Sequence, residues 1–321
     1  MIIVTGGAGF IGSNIVKELN NHGHSDILIV DNLGSSEKYK NLIGLHYLDY
    51  CHKEDFFEDI DYYAENAEAV FHEGACSDTM EYDVNYMMRN NYETSKALLD
   101  FCNYKGLPFI YASSASTYAD GHNGFSEGDK CEGALNPYAF SKLAFDRYVR
   151  HFLPNTRSKV IGLRYFNVYG PQEAHKGKMA SIFYQFYNQI QKDGAAKLFK
   201  GTGGYGDGEQ RRDFIYVKDV VKVNLYCLEN DVANGIYNCG TGQAHTYNEA
   251  AQAVIEALGM GKIEYRDFPE GLRGKYQSFT EADTTQLLKT GYNGGFTDFK
   301  AAVKEYCDLL ESNSGYYSYN D

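Results

Sequence analysis

The sequence has no excess of positive charge: its 321 residues include 30 Lys and Arg against 43 Asp and Glu, a formal net charge of −13. General nucleic-acid binding usually requires a basic face, so we expect no nucleic-acid partner. An anionic ligand must then be held by local groups. No apolar run approaches the roughly 20 residues that a membrane-spanning helix needs, and we expect no membrane association.

Cysteine and histidine lack the spacing of a disulfide framework or a metal site. The seven cysteines include no C-x-x-C pair, and the nine histidines include no H-x-x-x-H. We therefore expect a reducing compartment and no bound metal. An apolar run starts at Ile2 with no basic leader before it, so we expect no signal peptide and a cytoplasmic location.

Short apolar runs alternate with helical patterns through the first half of the chain, as expected of βαβ units in a doubly wound parallel sheet. One helical pattern runs from about Asn85 to Tyr104, with apolar side chains at core spacing. Later, Thr246 and Glu249 have the spacing of a capping box that opens a helix to about Leu258. The predicted strands cover residues 2–4, 27–30, 69–71, 109–112, 160–165 and 235–239.

Three glycines spaced G-x-x-G-x-x-G, at Gly6, Gly9 and Gly12, lie between the first strand and the first helix. In this context they predict a dinucleotide site, because they let the pyrophosphate approach the backbone and the helix N-terminus. A plain strand-to-helix turn is the alternative. Asp31, at the end of the second strand, favours NAD. Lys38 and Lys53 could balance the extra phosphate of NADP, so the residues leave both cofactors open.

Tyr138 and Lys142 are four residues apart in a helix that Pro137 opens, so they share one face. A neighbouring ammonium favours the phenolate form of a tyrosine, which suits proton transfer to or from a sugar hydroxyl. Ser114, at the end of a central strand, could hydrogen-bond the same oxygen. The alternative is that Tyr138 is one of 29 tyrosines with no special role.

Four segments together resemble the extended short-chain dehydrogenase/reductase family, also called the NAD-dependent epimerase/dehydratase family. They are T-G-G-A-G-F-I-G, Ser114 at the end of Y-A-S-S, Y-x-x-x-K, and R-D-F-I-Y-V-K-D-V at 212–220. The resemblance implies a Rossmann sheet, a nicotinamide cofactor and a nucleotide-sugar substrate held by a smaller C-terminal α/β domain. The implied cofactor domain covers residues 1–168, 213–240 and 277–290. The implied substrate domain covers 169–212, 241–276 and 291–321.

Family dehydratases carry an Asp-Glu pair after the active-site Ser or Thr, where this chain has Ala115 and Ser116. Elimination is therefore disfavoured, and epimerisation or simple reduction remains. Segments such as F-H-E-G-A-C-S and H-K-G-K-M-A-S resemble the branch that inverts carbon 6 of an ADP-heptose for the lipopolysaccharide core. That branch implies tightly held NADP, with NAD possible, and Lys176 as a second acid/base. On sequence alone, a solvated loop lysine beside Lys178 is the favoured interpretation of Lys176.

Carbon 6 lies outside the heptose ring, so its ketone can swivel to expose the opposite face to the same reduced cofactor. The ketone oxygen then points elsewhere, and a second proton carrier is needed beside Tyr138. A UDP-hexose 4-epimerase that needs only Tyr138 and Lys142 is an alternative, and a non-catalytic NADP-sensing protein is another. The expected catalytic residues are Ser114, Tyr138, Lys142 and Lys176.

Matching positions extend the resemblance to the binding residues, and a homo-oligomer is implied. Ala119 departs from the family's usual Gly, Lys178 from Ser and Gln185 from His, and the loop 203–208 is longer than usual. The implied cofactor residues are Gly6, Gly9, Phe10, Ile11, Gly12, Asp31, Asn32, Lys38, Lys53, Glu73, Gly74, Ala75, Cys76, Ser77, Asn90, Lys142 and Val168. The implied substrate residues are Asn167, Lys178, Gln185, Phe199, Lys200, Gly201, Thr202, Arg212 and Tyr276.

Overall fold

A computed structural model describes residues 1–269 and 277–318. The expected substrate residue Tyr276 lies outside the described residues. The strands of the described chain are β1 (Ile2–Thr5), β2 (Ile27–Asp31), β3 (Asp49–His52), β4 (Ala69–His72), β5 (Phe109–Ser114), β6 (Val160–Tyr165), β7 (Asn167–Tyr169), β8 (Ala195–Phe199), β9 (Arg211–Tyr216), β10 (Gly235–Cys239), β11 (Ala244–Thr246) and β12 (Lys262–Arg266).

A seven-stranded parallel sheet forms the centre of the molecule, in the order β10-β6-β5-β4-β1-β2-β3. β1 lies between β4 and β2, with Val4 in register with Phe71 on one side and Ile29 on the other. The strand order reverses about β1, as in a doubly wound fold, and ligands bind such sheets outside the carboxyl ends of the strands. The doubly wound parallel sheet predicted from the sequence is confirmed.

Helices cover both faces of this sheet, which explains why its strands read as continuous apolar runs. Ile2 and Val4 of β1 lie in one hydrophobic cluster with α1 and α8, whereas Ile3 lies in another with α5 and α6. The helices are α1 (Phe10–Asn21), α2 (Lys53–Glu58), α3 (Ile60–Tyr63), α4 (Val84–Met87), α5 (Thr94–Lys105), α6 (Pro137–Phe152), α7 (Ile182–Asp193), α8 (Val217–Glu229), α9 (Tyr247–Leu258), α10 (Thr285–Lys289) and α11 (Phe299–Asn313).

The helix predicted over 85–104 is present, but it is not a single α-helix. A π-helical segment, Met88–Glu93, separates α4 from α5. Asn91 in this segment is 1% exposed, and its side chain bonds both backbone groups of Cys76. The widened turn places Asn91 against the strand-end segment that follows β4.

Two smaller sheets stand beside the central one: β11-β9-β7, in which β9 pairs antiparallel with β11 and parallel with β7, and the parallel pair β12-β8. They pack with α7, α9 and α11 around a separate aromatic-rich cluster. The described chain also contains 3₁₀ turns of three or six residues, at Glu37–Leu42, Ala115–Thr117, Leu153–Asn155 and Ala174–Met179. Among the described residues, the helices are too short or too polar to cross a bilayer.

Candidate active site

The carboxyl ends of the central strands open into one cavity of about 460 Å³. The glycine turn, β2, β4, β5 and α6 contribute to its wall, and the 3₁₀ turn Ala174–Met179 faces them from the other side. The lining residues are Gly6, Gly9, Phe10, Ile11, Gly12, Asp31, Lys38, Glu73, Gly74, Ala75, Cys76, Ser77, Asp78, Ala112, Ser113, Ser114, Tyr138, Lys142, Tyr165, Phe166, Val168, His175, Lys176 and Met179.

The glycine turn has no room for a side chain at Gly6, Gly9 or Gly12. Gly6 has φ +67°, and a Cβ there would lie 2.6 Å from the backbone nitrogen of Gly74. A Cβ on Gly12 would lie 2.3 Å from the carbonyl oxygen of Gly6. Gly9 caps α1 without any side-chain hydrogen bond. The first-turn N–H groups of α1 therefore face the cavity unscreened, which suits a pyrophosphate.

A smaller cavity of about 220 Å³ continues from the first at the ends of β1 and β2. Asp31 and Lys38 line both cavities, and Lys53 and Asn90 line the smaller one. The Lys38 ammonium lies 2.7 Å from Asp31 Oδ1, and Lys53 donates to Asn90 Oδ1 at 2.7 Å. Asp31 Oδ2 also accepts from the backbone N–H of Ala8 at 2.9 Å. Two lysines and one carboxylate thus face the end where a Rossmann site holds the adenosine ribose.

Buried side chains hold the segment 73–77 that follows β4. His72 lies between two hydroxyls, with Nδ1 2.6 Å from Thr5 Oγ1 and Nε2 2.8 Å from Ser95 Oγ. Burial lowers the pKa of His72 to about 3, and the Lys142 charge acts in the same direction. Asn91 donates to Ser141 Oγ at 3.0 Å, which links the same segment to α6.

Ser114, Tyr138 and Lys142 meet where β5 ends and α6 begins. Asn136 caps α6 and Pro137 occupies its first turn, which fixes the entry of the helix. Lys142 is 4% exposed and donates to the carbonyl of Ala112 at 2.8 Å. Burial lowers the pKa of Lys142 to about 8.

The phenol of Tyr138 behaves differently from the sequence-based expectation. Burial raises its pKa, and the hydrogen bond with Ser114 lowers it by less. The negative charges of Cys76, Glu73 and Asp146 would raise it further. Proximity in sequence identified the Tyr138–Lys142 pair, but burial has the largest effect on the pKa of Tyr138, because desolvation penalises the phenolate.

Lys176 faces the glycine turn from the opposite wall of the cavity. Its ammonium lies 5.1 Å from the centre of the Phe10 ring. Burial lowers the pKa of Lys176, and the carboxylate of Glu173 partly offsets that effect. Gly177 next to it has φ +53° and ψ −116°, so the backbone turns sharply after Lys176. Lys176 therefore lines the cavity and is partly buried there.

Glu73 places a buried carboxyl group in the wall of the larger cavity. Its Oε1 accepts from the Tyr165 hydroxyl at 2.9 Å, and its Oε2 is buried with no hydrogen-bond partner among the described residues. Burial raises the pKa of Glu73 to about 7, despite the opposing effects of Tyr165 and Lys142. The sequence assigned Glu73 only as a cofactor contact.

The structure brings together every residue expected to be catalytic or to contact the cofactor: all of them line one or both cavities. The eight expected substrate residues within 1–269 and 277–318 do not line either cavity. Arg212 in β9 is 5% exposed, and its guanidinium donates to the carbonyls of Arg211 and Gln277. Lys200 pairs with Asp267, and Gln185 donates to the carbonyl of Lys178 at 2.9 Å.

Asn167 is in β7 and its Oδ1 lies 3.3 Å from Thr280 Oγ1. Phe199 ends β8, with the Arg266 guanidinium 4.6 Å from its ring centre, and Gly201 and Thr202 begin the glycine-rich loop after it.

Several residues that line the cavity were not predicted. Each lies close in sequence to a predicted residue, so the motifs indicated the right segments but not these individual residues. They are Asp78, Ala112, Ser113, Tyr165, Phe166, His175 and Met179. His175 has a specific environment: its Nδ1 lies 3.2 Å from Asn41 Nδ2, and burial lowers its pKa to about 4.

The fold and this site define a Rossmann protein that binds a dinucleotide beside a buried Ser-Tyr-Lys set. The chain belongs to the NAD dependent epimerase/dehydratase family, whose model matches residues 2–240. The family assignment made from the sequence motifs is confirmed.

Three similar proteins indicate which members of the family this chain resembles. The ADP-L-glycero-D-manno-heptose-6-epimerase of Alkalilimnicola ehrlichii is 52% identical over 312 residues, 97% of each chain. The crystal structure of the Helicobacter pylori ADP-L-glycero-D-manno-heptose-6-epimerase matches with TM-score 0.82 and 32% identity, covering 97% of this chain and 96% of that one. The UDP-N-acetylglucosamine 4-epimerase from Methanobrevibacter ruminantium matches with TM-score 0.84 and 28% identity, covering 97% and 98%.

Proposed function

We propose that this chain interconverts ADP-D-glycero-D-manno-heptose and ADP-L-glycero-D-manno-heptose by inverting carbon 6, with NADP as its bound cofactor, in the synthesis of lipopolysaccharide core heptose. The observation that carries the proposal is that Tyr138 and Lys176 line one cavity together with the glycine turn. The 52% identity to a 6-epimerase over almost the whole chain supports the choice of sugar.

The residues present fit a dinucleotide. The turn around Gly6 and Gly12 leaves space that a Cβ would fill, and the first turn of α1 offers N–H groups to a pyrophosphate. A bound nicotinamide would supply hydride transfer to and from carbon 6. Lys142, held by the Ala112 carbonyl, provides a positive charge in the wall of the cavity that Tyr138 also lines.

Tyr138 exchanges a proton with the carbon-6 oxygen in one half-reaction. Burial raises the pKa of its phenol and so favours the protonated form. A protonated phenol can donate to the ketone oxygen as the hydride returns, and Ser114 orients the phenolic oxygen through their hydrogen bond. Lys142 stabilises the phenolate that results, since an ammonium in a buried site acts through a low dielectric.

Lys176 exchanges a proton with the same oxygen after the ketone has swivelled. Burial favours loss of its proton, so the amine can accept the hydroxyl proton of one epimer. Glu173 then stabilises the ammonium that forms. Two carriers on different walls allow either face of one ketone to be reduced without moving the nucleotide.

The test of this function uses the purified protein and ADP-D-glycero-D-manno-heptose without added cofactor. NMR of carbon 6 is expected to show both epimers at equilibrium. Lys176→Met is expected to lose about 100-fold or more in turnover, the ordinary contribution of a general acid or base. Lys192→Met, on the exposed side of α7, is the matched control and should keep wild-type turnover. Absence of inversion in the wild type would refute the proposal.

The choice of NADP rests on Lys38 and Lys53, which line the smaller cavity near Asp31. Each ammonium can form a charge-assisted bond with the 2′-phosphate, and such a bond contributes about 1.5–3 kcal/mol. Lys38→Ala and Lys53→Ala should each weaken NADP binding about tenfold or more and change NAD binding much less. Mass analysis of the nucleotide bound to the purified protein decides between the cofactors directly.

A UDP-hexose 4-epimerase is the competing function, and the 4-epimerase structure with TM-score 0.84 is the observation that favours it. A 4-epimerase would not depend on Lys176. This alternative would be selected if Lys176→Met were fully active on a UDP-hexose and the wild-type protein were inactive on ADP-heptose.

The remaining parts of the proposal concern the whole protein. We assign substrate binding to the domain of residues 169–212, 241–276 and 291–321, and cofactor binding to the rest. We expect a cytoplasmic homo-oligomer, for which light scattering of the purified protein gives the subunit number.

A further inference from the structure

A network of buried amides joins three separate segments behind the cavity. Asn41 is 0% exposed and Gln172 is 1% exposed. Gln172 Nε2 donates to the Asn41 carbonyl at 2.9 Å, and Asn41 Nδ2 lies 3.0 Å from the Gln172 carbonyl. Asn41 Nδ2 also lies 2.9 Å from the carbonyl of Ala8 in the glycine turn. The segment that carries Lys38, the segment that carries Lys176 and the glycine turn therefore share one pair of amides.

The last described residues of the chain bind the other side of Gln172. Its backbone N–H donates to the Gly315 carbonyl at 2.8 Å, and the N–H of Tyr317 donates to Gln172 Oε1 at 3.2 Å. The Tyr317 hydroxyl donates to Asn14 Oδ1 at 2.7 Å, and Asn14 donates to the carbonyls of Phe10 and Pro171. We call residues 315–317 the C-terminal clasp.

Gln172 occupies a strained backbone conformation, with φ +73°. A non-glycine residue in the left-handed region is strained, so surrounding contacts must hold it there. The four hydrogen bonds of Gln172 to Asn41 and the clasp supply those contacts. Immediately after Gln172, the Glu173 carbonyl accepts from the N–H of Lys176 at 2.9 Å. The Glu173 carboxylate accepts from Ser181 Oγ at 2.6 Å.

We infer that Gln172 is a positioning residue for Lys176, and that the C-terminal clasp holds Gln172 in the conformation that keeps Lys176 over Phe10. This inference deepens the proposed function, because the role of Lys176 in proton transfer rests on it. Neither Gln172 nor the clasp lines the cavity, so they act through the backbone and not on the substrate.

The position of Lys176 can be read without any sugar, from the pH dependence of its acetylation. Competitive labelling of the whole protein by acetic anhydride, followed by mass spectrometry, gives the titration midpoint of each lysine. Burial lowers the pKa of Lys176 and the carboxylate of Glu173 in its own turn opposes this effect, while the charges of Lys176 and Lys38 both lower the pKa of His175. Release of the turn into water should move the midpoint towards the ordinary lysine value.

Two variants test the inference: Gln172→Ala, which keeps the backbone strain but removes the side-chain bonds, and a chain that ends at Ser314, which removes the clasp and retains α11. Each should raise the Lys176 midpoint towards the ordinary lysine value and lower turnover about tenfold, the loss expected for one misplaced proton carrier. Gln252→Ala, which removes an exposed glutamine of α9, is the matched control and should change neither reading.

An unchanged Lys176 midpoint in a folded variant, as judged by circular dichroism, would overturn the inference. Should Gln172→Ala fail to fold, the shortened chain decides alone. A shifted midpoint in a protein that does not invert ADP-heptose would leave the inference standing and count only against the proposed function.

Discussion

His72 is a histidine that the fold keeps uncharged between two hydroxyls. Its folded-state pKa of about 3 lies below the ordinary 6.5, so the unfolded chain binds the extra proton between these values. Stability from this group is therefore complete above pH 6.5 and is lost as the pH falls towards 3. One pKa unit corresponds to 1.36 kcal/mol, so a fall from pH 6.5 to pH 5 should cost about 2 kcal/mol through His72.

The measurement is the free energy of unfolding in urea at pH 7 and pH 5, for the wild type and His72→Gln. The wild type should be the more stable at pH 7, and the difference should shrink by about 2 kcal/mol at pH 5. His24→Gln, an exposed position, should show no such change. A difference independent of pH would mean that His72 is not held neutral.

Ala119 is a second residue whose effect on stability can be tested by a single substitution. Its φ is +52°, and its carbonyl accepts from the side chain of Gln277. Tyr118 before it is fixed by a 2.6 Å hydrogen bond to Asn238, so the backbone cannot relax. The family's usual Gly at this position, noted from the sequence, thus has a physical reason.

Ala119→Gly should raise the free energy of unfolding by about 0.5–1 kcal/mol, because relief of the left-handed strain exceeds the added entropy of the unfolded chain. Thermal or urea denaturation measures the change. Ala301→Gly, at an exposed position of α11, should have the opposite sign and cost about 1 kcal/mol. Equal losses in both variants would contradict the strain at Ala119.

At the scale of elements, the best-predicted feature is the start of α9. Thr246 Oγ1 accepts from the N–H of Glu249 at 3.0 Å, and Glu249 Oε2 accepts from the N–H of Thr246 at 2.7 Å. The capping box predicted from the sequence is confirmed, as is the end of the helix at Leu258. The interaction is local, so four residues of sequence were enough to predict it.

Thr246→Ala should destabilise the protein by about 1 kcal/mol, because the first-turn N–H of Glu249 loses its acceptor. Thr284 caps α10 without a side-chain hydrogen bond, so Thr284→Ala is the matched control and should change stability by less than about 0.5 kcal/mol. Urea denaturation of both variants gives the comparison, and a similar loss in both would argue against the capping box as the cause.

Other elements could be predicted only where the pattern is local. The strands at 160–165 and 235–239 have the predicted bounds because they are continuous apolar runs between turns. The π-helical segment Met88–Glu93 was not predictable, since its cause is the contact of Asn91 with Cys76 in another part of the chain. The 3₁₀ turn that places Lys176 depends likewise on Glu173 and Ser181, which no periodicity reveals.

For the whole molecule, motifs identified the cofactor side of the site more fully than the substrate side. The spaced glycines, the strand ends and the pair Tyr138–Lys142 all lie at the carboxyl edge of the sheet. All the expected catalytic and cofactor residues therefore line the two cavities. Expected substrate residues such as Arg212 depend on how the smaller sheets pack, which the sequence does not encode locally. Their assignment stays a prediction, as does the division into two domains.

The central claim is that two proton carriers on opposite walls each serve one epimer. The most direct measurement presents each purified ADP-heptose epimer to Tyr138→Phe and to Lys176→Met, both loaded with NADP, and follows absorbance of the reduced nicotinamide. Each variant should be reduced by one epimer only, and by opposite epimers. Reduction of either variant by both epimers, or dependence of both epimers on the same residue, would contradict the account.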